Sequence, residues 1–351
     1  MRIFPACSLT LLAGGLAACT GPVSSNAFDT ANDGQKCDRI HGATGIALYE
    51  DQGKTAHFPD HAPSDTFRTS GVAGPMDVDG STWLAVSGRT AQVSTDGGCN
   101  WEDQGSLPSG DWLLTAADGR AYAFDLASSA GAFSDNLGLS WEPFDAGGTF
   151  TSLPTIDAAD FKRLRGVQDR GVVTSSDGGL TWSITGSIPE GAAVVVGAGI
   201  PDNDLDAVLV TTDLGVYQSA TGGQSWSVLA LAGMTSLTTA AIHPADNNVL
   251  LVAGTDENGA VIMRSDDAGV TWDSIMSVAG QDLDVDPPLW PLPGAANTFV
   301  SSYGSRDGVK LYVAVAHQQI LTYSVGQYYE LSQVAFGSDR WLATLSAVSE
   351  E

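Results

Sequence analysis

SSDGGLTW, at residues 175–182, decides the fold of this chain because the chain repeats it. Five copies fit the frame S-x-D-x-G-x-x-W, and their serines lie 40, 41, 44 and 46 residues apart. Such a near-constant period predicts a repeat architecture with one supersecondary unit per copy. We call each copy a box. The frame residues are Ser94, Asp96, Gly98 and Trp101; Ser134, Asn136, Gly138 and Trp141; Ser175, Asp177, Gly179 and Trp182; Ser219, Thr221, Gly223 and Trp226; Ser265, Asp267, Gly269 and Trp272.

The residue types of the box predict a tight hairpin. Glycine supplies the positive φ that such a turn needs. The Asp, Asn or Ser side chain can bond backbone amides two or three residues further on. The Trp begins the next strand with a large apolar surface. We interpret the boxes as fold-stabilising hairpins, since a catalytic site is needed once and not five times.

The frame resembles the Asp-box (BNR) repeat of sialidase-like and sortilin-like β-propellers. The direct resemblance covers residues 94–272. It implies an all-β propeller in which each box joins the two outer strands of a blade, on the periphery and away from the central site. A fold shared by so many proteins says little about function.

One domain, residues 38–351, holds the predicted blades. A period of about 43 residues matches four short strands per blade and gives seven blades, with six as the alternative. A blade without a box is predicted from about residue 277 to 325. The last blade combines TGIALYED (44–51) with RWLATLSA (340–347), which removes free sheet edges.

The first residues are typical of a processing signal. LAAC (16–19) resembles a bacterial lipobox, which predicts a leader at 1–18, a lipidated Cys19 and a flexible tether over 19–37. The apolar run is too short for a spanning helix. The prediction is a lipid-anchored protein of the bacterial outer membrane or cell surface; the alternative is a plain secretory signal.

Two other cysteines remain once the leader and Cys19 are set aside. Cys37 and Cys99 are predicted to form a disulfide that fixes the end of the tether to the first box, which suits an oxidising compartment. Two free thiols are the alternative.

The composition is strongly acidic. Forty-one Asp and Glu against 15 Lys and Arg give a net charge of −26. Nucleic-acid binding needs basic patches, and anionic lipid headgroups attract basic segments. The acidic composition therefore argues against both nucleic-acid binding and electrostatic binding to anionic lipids. We expect a monomer without a cofactor.

Sialidase chemistry is the first enzymatic alternative. That family uses three arginines, a Tyr–Glu nucleophile pair, an acid/base Asp and an Arg-Ile-Pro motif, and the motif is absent here. Arg163, Arg165 and Arg170 crowd one segment, and the adjacent Tyr329 and Glu330 would point to opposite faces of a strand. No catalytic residue is assigned.

Three further features are candidates for binding. PDNDLDAVLVTTD (201–213) begins like a calcium loop, but Ala207 replaces the required glycine. DLDVDPP (282–288) is a second, weak calcium candidate. No metal site is assigned. His243 is interpreted as packed. Trp290, in a proline-rich loop, is a candidate ligand platform or else fills a gap between blades.

The sequence therefore favours a non-enzymatic propeller that binds a protein or a glycan at the cell envelope. A glycoside hydrolase is one alternative. An assembly factor is another, since the chain resembles the photosystem II assembly propellers in its fold units.

Overall fold

The structure is a computed structural model that describes most of residues 69–279 and separate segments on either side. The described residues are 37, 40–42, 46–50, 55–57, 69–77, 79–117, 119–279, 289–291, 298–303, 309–315, 318–326, 329–336 and 340–347. Within these ranges, no helix has the length and apolar character that crossing a membrane requires.

The described strands form seven four-stranded antiparallel sheets. In chain order they are β1 (Ile46–Glu50), β2 (Thr55–His57), β3 (Thr69–Ala73), β4 (Trp83–Ser87), β5 (Thr90–Ser94), β6 (Glu102–Ser106), β7 (Trp112–Ala117), β8 (Arg120–Asp125), β9 (Ala130–Ser134), β10 (Glu142–Asp145), β11 (Thr155–Asp157), β12 (Asp160–Gln168), β13 (Gly171–Ser175), β14 (Ser183–Gly186), β15 (Val195–Gly199), β16 (Val208–Thr212), β17 (Gly215–Ser219), β18 (Ser227–Leu229), β19 (Ser236–His243), β20 (Asp246–Thr255), β21 (Gly259–Ser265), β22 (Asp273–Ala279), β23 (Leu289–Pro291), β24 (Thr298–Tyr303), β25 (Val309–Val315), β26 (Gln318–Gly326), β27 (Tyr329–Phe336) and β28 (Arg340–Ala347).

Six blades follow one another along the chain, and the seventh joins both ends. Blades 1 to 6 are β3–β6, β7–β10, β11–β14, β15–β18, β19–β22 and β23–β26. Blade 7 has the strand order β2-β1-β28-β27, with Ile46 opposite Thr344 and Leu48 opposite Leu342. The predicted all-β propeller with seven blades is confirmed, and so is the pairing of 44–51 with 340–347. Six blades would leave these strands unpaired.

The apolar core lies between the faces of neighbouring blades. The strands of blade 1 pack against those of blade 2 through Leu84, Val86, Trp112 and Leu114, all buried. Similar clusters lie between blades 2 and 3, 3 and 4, and 4 and 5. Because both faces of such a sheet are covered near the ring centre, an inner strand such as β4 (WLAVS) is a short apolar run, whereas an outermost strand such as β6 (EDQGS) is polar and mostly exposed.

A buried glutamine bonds three blades together at the innermost strands. Gln333 of β27 accepts hydrogen bonds through Oε1 from Val72 N (3.1 Å) on β3 and Leu114 N (3.0 Å) on β7. Its Nε2 donates to Leu114 O. The innermost strand of each blade has one unpaired edge, and an amide side chain can satisfy both a donor and an acceptor there. Gln333 therefore links blades 7, 1 and 2 beside the point where the ring closes.

Candidate functional site

The antiparallel strands give the propeller two distinct faces. The hairpins between the third and fourth strands lie at the same ends of the blades as the loops between the first and second strands; we call this the box face. The turns between the second and third strands and the linkers between blades lie at the other ends; we call this the linker face.

All five boxes are closed hydrogen-bonded units on the box face. The frame serines are 1–2% exposed. In every box the Ser Oγ accepts a hydrogen bond from the frame Gly N at 2.8–2.9 Å. The Asp, Asn or Thr at the third position accepts one from the amide three or four residues further on, for example Asp177 Oδ1 from Thr181 N at 2.9 Å. The polar groups of the box are thus used within the hairpin.

The frame glycine of each box packs against the preceding blade. Its φ is +93° at Gly98 and +82° at Gly223. A Cβ on Gly98 would lie 3.0 Å from Leu342 Cδ2 of blade 7, and one on Gly223 would lie 3.0 Å from Val172 Cβ of blade 3. Only glycine combines a left-handed turn with this close approach. Each box is therefore a joint between two blades as well as a turn.

The two boxes without Asp differ at the tryptophan. Trp101, Trp182 and Trp272 donate from Nε1 to the frame Gly O at 2.8–3.1 Å. Trp226 donates instead to Ser187 O (3.0 Å), and Trp141 Nε1 has no partner. Four of the five tryptophans thus close the hairpin or the joint beside it through the indole N–H.

The box carboxylates make the stability of the folded chain depend on pH. Burial raises the pKa of the Asp177 carboxyl, but hydrogen bonds from Thr181 Oγ1 (2.5 Å), Thr181 N and Ser175 Oγ outweigh burial and hold this pKa below its ordinary value. Asp96 behaves in the same way. For Asp267 the amide of Thr271 is the main cause of a lowered pKa. A lowered folded pKa means that the unfolded chain binds more protons, so stability falls as pH falls.

We expect Asp177→Asn to flatten this acid dependence. Asn136 already occupies the same position in the second box, where Oδ1 accepts Ser140 N at 3.0 Å, so the amide fits the hairpin. The free energy of unfolding of the wild type should decrease between about pH 5 and pH 2, and that of the variant should decrease less. Urea unfolding across this range measures both slopes, and identical slopes would contradict the role given to Asp177.

A disulfide fixes the N-terminal segment to the first box. Cys37 and Cys99 are bonded, with Cα atoms 5.5 Å apart. His41 N donates to Cys99 O (2.8 Å) and Trp101 N donates to His41 O (2.9 Å). Ile40 is 1% exposed and packs in a cluster that includes Trp101 and Leu342. The chain therefore enters the propeller on the box face, across the junction of blades 7 and 1.

The arginines considered for sialidase chemistry have separate structural partners. Arg163 Nη1 lies 3.1 Å from Asp157 Oδ2, and Arg165 Nη1 lies 2.6 Å from Asp206 Oδ1. Arg170 Nη2 donates to Gln168 Oε1 (3.0 Å). These three cations are used for contacts within and between blades, not for one anion.

The candidate calcium loop at 201–213 contains the turn before the second strand of blade 4, and its carboxylates also have partners. Asp206 binds Arg165, and Asp204 Oδ2 accepts Asn247 Nδ2 at 3.0 Å. Among the described residues, no three His, Cys, Asp or Glu side chains lie close enough together to hold a metal ion. His243 is fully buried, and its Nδ1 accepts Ala245 N at 3.1 Å.

Two predicted features fall outside what the structure describes. Residues 282–288 are among the ranges not described. Trp290 belongs to β23, where it pairs with Val300, but its side chain is not described. Cys19 also lies outside the described residues. The ligand platform at Trp290 and the lipidation of Cys19 stay predictions.

A groove of about 590 Å³ opens on the linker face, between blade 4 and the linker that leads into β19. Val196, Leu214 and Val228 line it and are 40, 54 and 68% exposed. Met234 of the linker and Leu237 at the start of β19 line its other side. Large aliphatic side chains left exposed beside one another mark a surface that gains stability when a partner covers it.

Hydrogen bonds hold both walls of this groove in place. On the blade 4 side, Asp213 Oδ1 accepts Ala193 N (3.0 Å) and Val194 N (3.2 Å). On the linker side, Thr235 N donates to Thr255 O (2.7 Å). A preformed site loses less conformational entropy on binding than a flexible one. The backbone on both sides of the groove is thus held by hydrogen bonds.

The lining of the groove is mostly aliphatic. Its residues include one ionisable side chain, Asp213, and no Phe, Tyr or Trp. The groove can cover aliphatic groups, and Asp213 can accept a hydrogen bond or pair with a cation.

The sequence predicts a ligand platform at Trp290 and does not predict this groove. One signal was present in the sequence. Residues 171–263, which hold all of blade 4 and much of blade 5, contain no Lys or Arg. They contain nine acidic residues: Asp177, Glu190, Asp202, Asp204, Asp206, Asp213, Asp246, Asp256 and Glu257.

Comparison with known proteins supports the fold. No protein-family model matches the chain, and no curated protein matches it. Among solved structures, Kuenenia stuttgartiensis hydrazine synthase is 12% identical with a TM-score of 0.57, over 83% of this chain and 98% of that chain. YCF48 bound to a D1 peptide is 13% identical with a TM-score of 0.55, over 89% and 99%.

A xyloglucanase of glycoside hydrolase family 74 from Xanthomonas campestris is 16% identical with a TM-score of 0.52. The match covers 74% of this chain but only 46% of the xyloglucanase. These similar structures include enzymes and a peptide-bound protein, and at such low identity they show a shared propeller fold alone.

Proposed function

We propose that this chain is a non-enzymatic binding module that recognises a protein segment in the groove between blade 4 and the linker into β19. The observation that carries the proposal is the set of exposed aliphatic side chains, Val196, Leu214 and Val228, on walls held by hydrogen bonds. A structurally similar propeller, YCF48, is known bound to a D1 peptide, which supports peptide binding as a use of this fold.

A protein fits this groove better than a glycan. Sugar rings are commonly bound by stacking on aromatic side chains, together with convergent polar groups. The groove lining has no aromatic ring and one ionisable group. Its aliphatic walls match the side chains of a polypeptide. Of the two ligand classes expected from the sequence, we therefore propose the protein.

The proposal includes a lipid anchor at Cys19 and the Asp-box character of the repeats. Seventeen residues separate Cys19 from Cys37, and the disulfide places Cys37 beside the first box. The box face would then be turned towards the bacterial membrane and the linker face, with its groove, away from it. A partner would reach the groove from the side opposite the membrane.

Photocrosslinking in intact cells tests the function. With p-benzoylphenylalanine at Val228, we expect a protein adduct that mass spectrometry identifies reproducibly. Val270, which is 77% exposed on the box face, is the matched control position and should not give that adduct. Equal adducts at both positions, or none at Val228, would refute a binding role for the groove.

The same cells test the anchor. Cys19→Ala should move the protein from the membrane fraction to the soluble fraction, while its groove stays intact. Retention of this variant in the membrane fraction would refute the lipid anchor and leave the binding role unaffected.

A further inference from the structure

We propose that the groove binds an extended basic segment, in which aliphatic side chains stand beside lysine or arginine. This inference rests on the proposed function and specifies the chemistry of the partner. Two independent properties of the groove support it: its aliphatic lining, and the charge around it.

The linker face near the groove carries four acidic residues in its turns and linkers: Glu190, Asp213, Asp256 and Glu257. Residues 171–263 contain no Lys or Arg, and their other five acidic residues lie at the box face. Of the nearest cations, Arg264 pairs with Asp266 (2.7 Å) and Arg165 pairs with Asp206 (2.6 Å), whereas Arg170 donates to the neutral side chain of Gln168 and keeps its charge. The acidic residues beside the groove attract a basic partner and repel an acidic one.

Two acidic residues stand at the groove itself. Asp213 lines it, and its exposed carboxylate uses Oδ1 for the amides of Ala193 and Val194. Asp256 adjoins it, because its carbonyl accepts the hydroxyl of Thr235, a lining residue, at 3.3 Å.

The carboxylate of Asp256 is kept ionised. Its Oδ1 accepts Asn258 N (2.7 Å) and Gly259 N (2.9 Å), and the Asn258 amide above all lowers the pKa of Asp256. A basic side chain beside the apolar contact would therefore meet a negative charge at the groove.

The same charge disfavours other occupants. A second copy of this chain would bring its own net charge of −26 to an acidic surface. An acidic polypeptide would meet the same repulsion. A purely apolar segment would gain burial but no attraction at long range, which controls the rate of encounter. A basic and aliphatic segment gains both.

Binding of defined peptides tests the proposal. The probe is a dye-labelled ten-residue peptide of alternating lysine and valine, measured by fluorescence anisotropy against the whole mature chain. A peptide with glutamate in place of lysine tests charge, and one with serine in place of valine tests the apolar contact. We expect the lysine–valine peptide to bind at least about tenfold more tightly than either.

Paired variants of the protein locate the binding. Asp213→Asn should weaken binding about threefold, whereas Glu142→Gln, the same charge change on an exposed residue of blade 2, should not. Val228→Ser should weaken it about fivefold, whereas Val270→Ser should not. Raising the salt concentration should weaken wild-type binding.

The outcomes separate the partner chemistry from the function. Equal binding of the lysine–serine peptide, or equal effects of Val228→Ser and Val270→Ser, would overturn the inference. If photocrosslinking at Val228 identifies a protein but the lysine–valine peptide does not bind, the proposed function stands and the basic chemistry is wrong. If both experiments fail, the function and the inference fall together.

Discussion

Replacing Cys37 and Cys99 together with serine should lower the melting temperature of the propeller by about 6–10 °C. The disulfide joins residues 62 positions apart. In the chain-entropy model a loop of this length stabilises the folded state by roughly 4 kcal/mol. A single domain of this size loses a few degrees for each kcal/mol.

The disulfide lies at a junction between blades, so its removal also weakens packing there. Ile40 and Cys37 belong to the same buried cluster as Trp83 of blade 1 and Leu342 of blade 7. These blades meet where the ring closes, and blade 7 combines strands from the two chain ends. Freeing residues 37–42 therefore weakens the junction at which the two ends of the propeller meet.

Thermal unfolding followed by circular dichroism measures this effect. Reductant should destabilise the wild type by a similar amount and leave the double variant unchanged, which is the internal control. An unchanged melting temperature in the double variant would show that the disulfide does not restrict the unfolded chain, against the entropy argument.

The second large effect is expected at a box glycine. Gly223→Ala should destabilise the protein by about 3–5 kcal/mol, from strain of a left-handed alanine and from overpacking. Gly223 has φ +82°, and a Cβ there would lie 3.0 Å from Val172 Cβ and closer still to its Cγ2. Val172 is fully buried and branched, so it has little room to move.

Gly233→Ala is the matched control for this prediction. Gly233 has nearly the same φ, +87°, but nothing lies within 4 Å of a Cβ built on it. Gly233→Ala should lower the free energy of unfolding by only about 1–2 kcal/mol, which is the cost of the left-handed backbone. Chemical unfolding gives both values. Equal losses would mean that the box is a turn alone and not a joint between blades.

The sequence by itself determined the repeat, and it predicted seven blades, with six as the alternative, and a last blade shared by the two chain ends. These follow from local patterns: a turn that needs glycine and Asp at fixed spacing, and strands such as RWLATLSA that need a partner. They reappear as hairpins between third and fourth strands and as the pairing of β1 with β28. Local structure can be predicted from a sequence because the residues that interact in it are only a few positions apart.

Only the tertiary structure revealed the groove that we propose as the binding site. Val196, Leu214 and Val228 resemble ordinary strand and turn residues, and their exposure depends on whether the next blade covers them. The bonds of Gln333 to Val72 of blade 1 and Leu114 of blade 2 span 261 and 219 residues. Such contacts form between segments that are far apart in the sequence. The spacing of residues along the chain therefore does not predict which side chains remain exposed. The acidic stretch at 171–263 was visible in the sequence, but its meaning depended on the aliphatic groove that the fold places beside it.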